Sequence, residues 1–321
     1  MANRTAAREH WRSGPSQAAR SVRNRIVDIA EQPARLRIER RQLVIDVEPE
    51  PARVPLEDLA VVVVSHPQVS YTQAVLSELA AQGGVFVTCD RSRMPVGLML
   101  PLAGHSVQTE RFRRQLELSR PKQKRLWQQV VRGKIAMQAV VLAESTGGDA
   151  HLPALLSKVR SGDPSNVEAQ AARRYWTALF GSDFRRDREA ADHNRLLNYG
   201  YAVLRAATAR AICAAGLHPS VGLHHHNRYN AWCLSDDLVE PYRPLVDRAV
   251  VRLMQGREDV PDLDGETRGE LIGALTSAVV IAGAQRLLFD ALARTASSLA
   301  AVVTGERNDL ELPTGVVDAA E

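Results

Sequence analysis

Two hydrophobic periods divide the chain. From residue 25 to about residue 102, apolar residues gather in short runs bounded by Pro, Gly and charged residues. RIVDIA, ARLRIE, QLVIDV, LAVVVVS, GVFVTCD and PVGLMLP are such runs. Their length and their Val and Ile content predict strands. One stretch departs from the pattern: TQAVLSELAAQ, inside residues 71–82, has helical spacing and is followed by Gly83 and Gly84 as a stop. Beyond residue 109 the period becomes helical. FRRQLELS, QKRLWQQVVRGKIAMQAVVLAE, ALLSKVR, VEAQAARRYWTALF and HNRLLNYGYAVLRAATARAICAAG are mostly rich in Ala and Leu, and so is the long run from ELIGAL to AAVVT. TGGD, SGDPSN, GLHPSVG and DVPDLDG separate them. The expected fold class is α+β: a small N-terminal β-rich, sandwich-like domain followed by a larger all-α helical bundle. The expected boundaries are a basic extension over 1–24, the β-rich domain over 25–108, the helical domain over 109–308 and a tail over 309–321.

Composition narrows the class. The 321 residues are 45% hydrophobic but only 5% aromatic, so the cores are built from Ala, Leu and Val. The three cysteines, Cys89, Cys213 and Cys233, form no CxxC pair. That fits a reducing compartment, and the cytoplasm is the expected location. No apolar run reaches the roughly 20 residues needed to cross a bilayer, so no membrane association is expected. Walker and G-x-G-x-x-G loops are both missing from the sequence, which argues against a nucleotide cofactor.

The formal charge of +4 becomes informative through its distribution. Arg4, Arg8, Arg12, Arg20 and Arg23 face only Glu9, without apolar periodicity. This reads as a disordered extension, with a DNA-contacting arm as the sharper alternative. Between residues 111 and 134 nine Lys or Arg stand against one acid, Glu117. Lys122, Lys124, Arg125 and Lys134 lie here on helical ground, where such density neutralises phosphates; the bland alternative is a solvated face.

Candidate chemistry concentrates in residues 222–244, GLHHHNRYNAWCLSDDLVEPYRP. His224, His225 and His226 precede Asp236, Asp237 and Glu240. Imidazole beside carboxylate oxygens suits a divalent cation. Alternation along an extended loop turns neighbouring side chains apart, so one or two of the three imidazoles serve one ion. Asn227, Tyr229 and Asn230 are placed to orient a ring. Ser235 or Asp236 is expected to cap a short helical turn bearing Asp237 and Glu240, and Pro244 to open the next helix. Upstream, Ser165 or Asn166 caps a helix with Glu168 in its first turn and Arg173, Arg174, Tyr175 and Trp176 behind it. A first-turn Glu also complements the helix dipole with no further role. A Cys/His zinc site from Cys213, His218, His224 or His226, and Cys233 lacks the short paired spacings of structural zinc modules.

In this order, VEAQAARRYWTALFG, NRLLNYGYAVLRAATARAI and GLHHHNRYNAWCLSDDLVEPYRPLVD resemble the CRISPR-associated integrase-endonuclease of spacer acquisition. CDRSRMPVGLMLPLAGHSVQTERF and KRLWQQVVRGKIAMQA are similar to the form found beside type II effectors. The resemblance spans about residues 25–305 and implies a β-rich dimerisation domain and a helical domain that binds metal. It places the catalytic and metal-binding residues at Glu168, His225 and Glu240, with Asp237 as a nearby supporting acid; Asn230 is the further supporting residue that the loop itself suggests. It implies Mg²⁺ or Mn²⁺ and double-stranded DNA, both protospacer and repeat, as partner. Arg173, Arg174, Lys122, Lys124, Arg125 and Lys134 are the basic residues expected to contact it. It also implies a homodimer joined with a small ferredoxin-like CRISPR-associated partner into a heterohexamer-type complex.

The implied function is a metal-dependent DNA endonuclease and integrase of antiviral defence. It would insert captured fragments into the CRISPR array by attack of a 3′-hydroxyl on a phosphodiester. Such a reaction needs no side-chain nucleophile, and the sequence carries no Ser/His or Cys/His triad signature. Two alternatives stand beside it: a non-catalytic helical DNA-binding scaffold, and an unrelated metal-dependent phosphoesterase of small substrates.

Overall fold

In a computed structural model of the chain, residues 24–187, 190 and 192–317 are described. The basic segment 1–23, Arg188, Glu189, Ala191 and residues 318–321 lie outside them. The chain forms two compact units: one runs to Leu102 and returns for Pro261–Ile272, and the other takes Ala103–Val260 and resumes at Gly273. Sequence periodicity places the boundary at 108 and assigns 261–272 to the helical domain. The first unit instead takes that segment back.

The first unit holds β1 (Arg25–Ile29), β2 (Ala34–Glu39), β3 (Gln42–Asp46), β4 (Ala52–Pro55), β5 (Leu59–Val64), β6 (Val69–Tyr71), α1 (Gln73–Ala81), β7 (Val85–Cys89) and β8 (Pro95–Met99). One sheet has the order β1-β5-β7-β8, the other β4-β3-β2-β6. β5, LAVVVV, is buried along its whole length between parallel partners, which explains its unbroken apolar run. Leu36, Leu43 and Ile45 of one sheet share a core with Val62, Val64 and Phe86 of the other. The returning segment is also tied by ions. Arg268, fully buried, donates from Nε to Asp28 at 2.7 Å, from Nη2 to Glu31 at 2.5 Å and from Nη1 to the Leu263 carbonyl at 2.6 Å. A buried guanidinium requires such partners, and they hold the returning segment in this unit.

The second unit contains α2 (Gln108–Leu116), α3 (Arg120–Thr146), α4 (Val167–Phe180), α5 (His193–Ala214), α6 (Cys233–Val239) and α7 (Arg243–Met254). α8 (Gly265–Ala274) runs from the returning segment into it, and β9 (Ala278–Ile281), β10 (Ala284–Leu287), α9 (Leu288–Thr304) and β11 (Pro313–Val316) complete it. ALLSKVR falls in a 3₁₀ turn, Pro153–Lys158, rather than a regular helix. The continuous helical run expected over 270–304 is broken by an antiparallel hairpin. Ala282 and Gly283 both take positive φ at its tip, the geometry a two-residue hairpin turn requires. β11 pairs with β9, so four of the nine described residues of the expected tail, 309–317, are built into this sheet.

The framework of the unit is α3. Pro121 lies in its first turn and Gly147 closes it with φ 77°. It packs against α4, α7, β11 and the 3₁₀ turn Glu240–Tyr242 that joins α6 to α7.

Candidate metal centre

Lys134, midway along α3, lies on the buried face. Its neighbours one turn away, Val130, Val131, Met137 and Gln138, are all buried. Nζ sits 2.6 Å from Glu168 Oε1 and 2.6 Å from Glu240 Oε2. Burial opposes its charge, but Glu240 and Glu168 outweigh this and hold the ammonium above its usual range. The sequence places Lys134 among phosphate-facing residues; the structure places it between two carboxylates.

Each carboxylate is positioned by local structure. α4 begins where the Asn166 side chain accepts from Ala169 N, and Asp163 accepts from Val167 N at 2.9 Å and Glu168 N at 3.0 Å. These caps fix the first turn, and Glu168 leaves it toward α3. Glu240 stands at the α6–α7 junction, 5% exposed, with Arg243 Nη1 2.9 Å from Oε1. Burial opposes its ionisation, yet Arg243 and Lys134 hold the carboxyl below its usual range. Glu240 Oε2 accepts no hydrogen bond of good geometry, so its approach to Lys134 is an ion contact alone.

The three histidines take three environments. His224 stacks on Trp127, with centroids 4.2 Å apart and planes 5° from parallel, and burial lowers its pKa. His225 Nδ1 lies 2.6 Å from Asp237 Oδ1. A carboxylate only accepts, so Nδ1 carries the proton and, in the neutral ring, Nε2 keeps its lone pair. The bond to Asp237 raises the His225 pKa against the effect of burial. His226 Nε2 meets Arg120 at 2.9 Å.

Asp237, fully buried, organises this loop. It accepts from the backbone N–H groups of Leu223 at 2.5 Å, His224 at 3.0 Å and His225 at 3.2 Å. Gly222 is required at its mouth, because a Cβ there would lie 2.3 Å from the His225 carbonyl oxygen. Asp237 therefore holds His225 rather than offering itself as a ligand. Asn230 is engaged elsewhere: its amide donates to Asp236 at 2.7 Å and its carbonyl oxygen accepts from Trp232 N at 2.9 Å.

Among the described residues, no three His, Cys, Asp or Glu side chains converge closely enough to hold an ion as they stand. The donor chemistry nonetheless suits a divalent ion. Two carboxylates from separate elements already share one cation, and a neighbouring imidazole has a free nitrogen.

A second cluster supports the site from behind. Asp247 on α7 is fully buried and accepts from Tyr175 at 2.9 Å and from Tyr201. Burial raises its carboxyl to about 6. Arg243 lies over the Tyr201 ring, 4.6 Å from its centroid, which links this cluster to Glu240. Sequence reading missed this set; the tyrosines and the acid lie far apart along the chain.

Of the expected DNA contacts, Lys124, Arg125, Arg173 and Arg174 are exposed. Lys122 instead donates to the Val302 carbonyl at 2.7 Å, at the C-terminal end of α9. Beside the histidine loop opens a cavity of about 630 Å³ whose lining includes Arg120, His226 and Arg228.

A β-rich unit followed by helices whose carboxylates meet over one buried cation defines an α+β protein with a candidate metal centre in its helical part. The family described as CRISPR associated protein Cas1 matches residues 27–271, and the chain belongs to it. It is 39% identical over 289 residues to the CRISPR-associated endonuclease Cas1 of Neisseria meningitidis serogroup C (strain 8013), covering 89% of this chain and 94% of that one. Its fold is similar to that of a casposase bound to integration product, with TM-score 0.75, 18% identity and coverage of 92% and 96% of the two chains. It is also similar to a chain of a Cas6-RT-Cas1–Cas2 complex, with TM-score 0.71, 18% identity, and coverage of 96% of this chain and 37% of that one. No helix among the described residues is long and apolar enough to cross a membrane.

Proposed function

We propose that the chain is a divalent-metal-dependent DNA integrase and endonuclease that inserts captured fragments into a CRISPR array. The observation that carries this reading is the convergence of Glu168 and Glu240 on one cation position. Glu168, His225 and Glu240 would hold Mg²⁺ or Mn²⁺, with the imidazole favouring Mn²⁺. The ion would supply a Lewis acid for the scissile phosphate and offset charge as the 3′-oxygen leaves. The chain's own part is positional. Asp237 fixes the His225 tautomer and ring, and Lys134 of α3 holds both carboxylates. The attacking group is the 3′-hydroxyl of the captured DNA, or water when the product is a nick.

The partners in this reading are double-stranded DNA, a second copy through the β-rich unit, and a small bridging protein. The solved complex that names Cas2 beside Cas1 supports the last of these. The near-full-length meningococcal match is consistent with the type II-associated grouping. Cytoplasmic location accords with three free cysteines.

Half-site integration assays with a manganese titration test the reading. E168Q, H225A and E240Q should each abolish strand joining while helical circular dichroism and duplex binding stay near wild type; E240Q should also melt lower, because it leaves the buried Lys134 and Arg243 without their shared counter-charge. Retained joining in all three would overturn it. The same lysine also favours a second reading, a non-catalytic DNA-binding scaffold, since an ammonium shared by two carboxylates is a complete structural triad. Metal-independent behaviour of every variant would select that reading.

A further inference from the structure

Lys134 contacts both carboxylates of the candidate centre while standing on a third element. Glu168 leaves the first turn of α4, Glu240 the α6–α7 junction, and Lys134 the middle of α3. With Arg243 on Glu240, the four side chains carry two negative and two positive charges and sum to zero. The two contacts made by Nζ are equal in length. A divalent ion drawing on both carboxylates must therefore displace the ammonium or share its space.

We propose that Lys134 is a positioning residue that competes with the divalent cation for Glu168 and Glu240, and so sets the metal affinity of the centre. The inference rests on the metal-dependent reading above. Two consequences follow from the geometry. Lys134 keeps two half-shielded carboxylates at a spacing that suits a cation, because without a counter-charge they would repel each other. It also keeps cation affinity low, because every ion bound must first break two short charged contacts. Once displaced, its four-carbon stem leaves a positive charge beside the centre, where an anionic phosphate is the natural counterpart. Sequence position alone concealed this, because Lys134 closes a run of basic residues whose other members include the exposed Lys124 and Arg125.

The test is manganese binding to the full-length protein, followed by electron paramagnetic resonance of free Mn²⁺, with melting temperatures measured in EDTA and in Mn²⁺. K134M removes the charge and keeps most of the volume. It should bind Mn²⁺ roughly tenfold or more tighter than wild type, because a nearby positive charge no longer opposes the ion. It should melt lower than wild type in EDTA, and Mn²⁺ should raise its melting temperature by more. K134R keeps the charge and should keep the weak affinity. K158M, at an exposed lysine outside the centre, should match wild type. If K134M does not fold in EDTA, recovery of its helical circular dichroism on adding Mn²⁺ supports the proposal, and failure to recover overturns it. If wild type binds Mn²⁺ and K134M binds it no tighter, the competition is wrong while the metal-dependent function stands. If neither binds Mn²⁺, both fall. Binding by K134M alone is the extreme case of the competition and supports it.

Discussion

His224 lies flat against Trp127, with centroids 4.2 Å apart, while the adjoining His225 turns its Nδ1 onto Asp237. Two neighbouring imidazoles thus receive opposite assignments, one as packing and one as a presented nitrogen. H224A should retain strand joining and lose the stacking energy, about 0.5–1.5 kcal/mol of stability. H225A should lose joining with little change in stability. Activity assays beside thermal melts separate the two. The reverse pattern would show that the presented nitrogen belongs to His224.

The buried Asp247 gives stability a pH signature. Its carboxyl is raised from 3.8 to about 6, chiefly by burial, so the folded state holds the proton more tightly than the unfolded state. The contribution is fully present below about pH 4 and is lost as pH rises through about 6; on the full shift it amounts to about 3 kcal/mol. D247N cannot ionise and should lack this component. The difference in melting temperature between wild type and D247N, followed from pH 4 to 7, should therefore shift against the wild type as pH rises. A constant difference would exclude Asp247 as the titrating group.

The exposed basic residues of α3 divide by their partners. Lys124 and Arg125 are exposed, whereas Lys122 is tied to the end of α9. K124A/R125A should weaken duplex binding equally for unrelated sequences and reduce the salt slope by about 0.9 for each phosphate no longer neutralised. Adding K122A should mainly lower the melting temperature. Titrations at several salt concentrations with two unrelated duplexes decide the matter; an unchanged slope would make this surface a solvated face.

What was legible in the sequence followed the strength of local signals. β1, β2, β3, β5, β7 and β8 coincide with the Val- and Ile-rich runs, and α1 and α4 with helical spacing and caps. β4 and β6 span four and three residues, too short to show a period. The β9–β10 hairpin lies inside an apolar stretch that is Ala-rich on both sides, and its signals, the short run 279–281 and Gly283 at the turn, were outweighed by the helical spacing around them. Glu168, His225 and Glu240 were singled out by motif. The part played by Lys134 was available in principle, since the positions three and four residues away on either side are all apolar or amide. A lysine in that register needs a buried partner. Counting charges along the segment hid it.

The Arg268 cluster bears on how the molecule is made. The counter-charge for Asp28 and Glu31 arrives with residue 268, after α2 to α7 have been synthesised. On the ribosome the first unit therefore cannot complete its ion cluster until most helices of the second have emerged. A fragment cut at residue 102 would carry Asp28 and Glu31 with Arg268 missing. The first unit is contiguous in neither sequence nor order of synthesis.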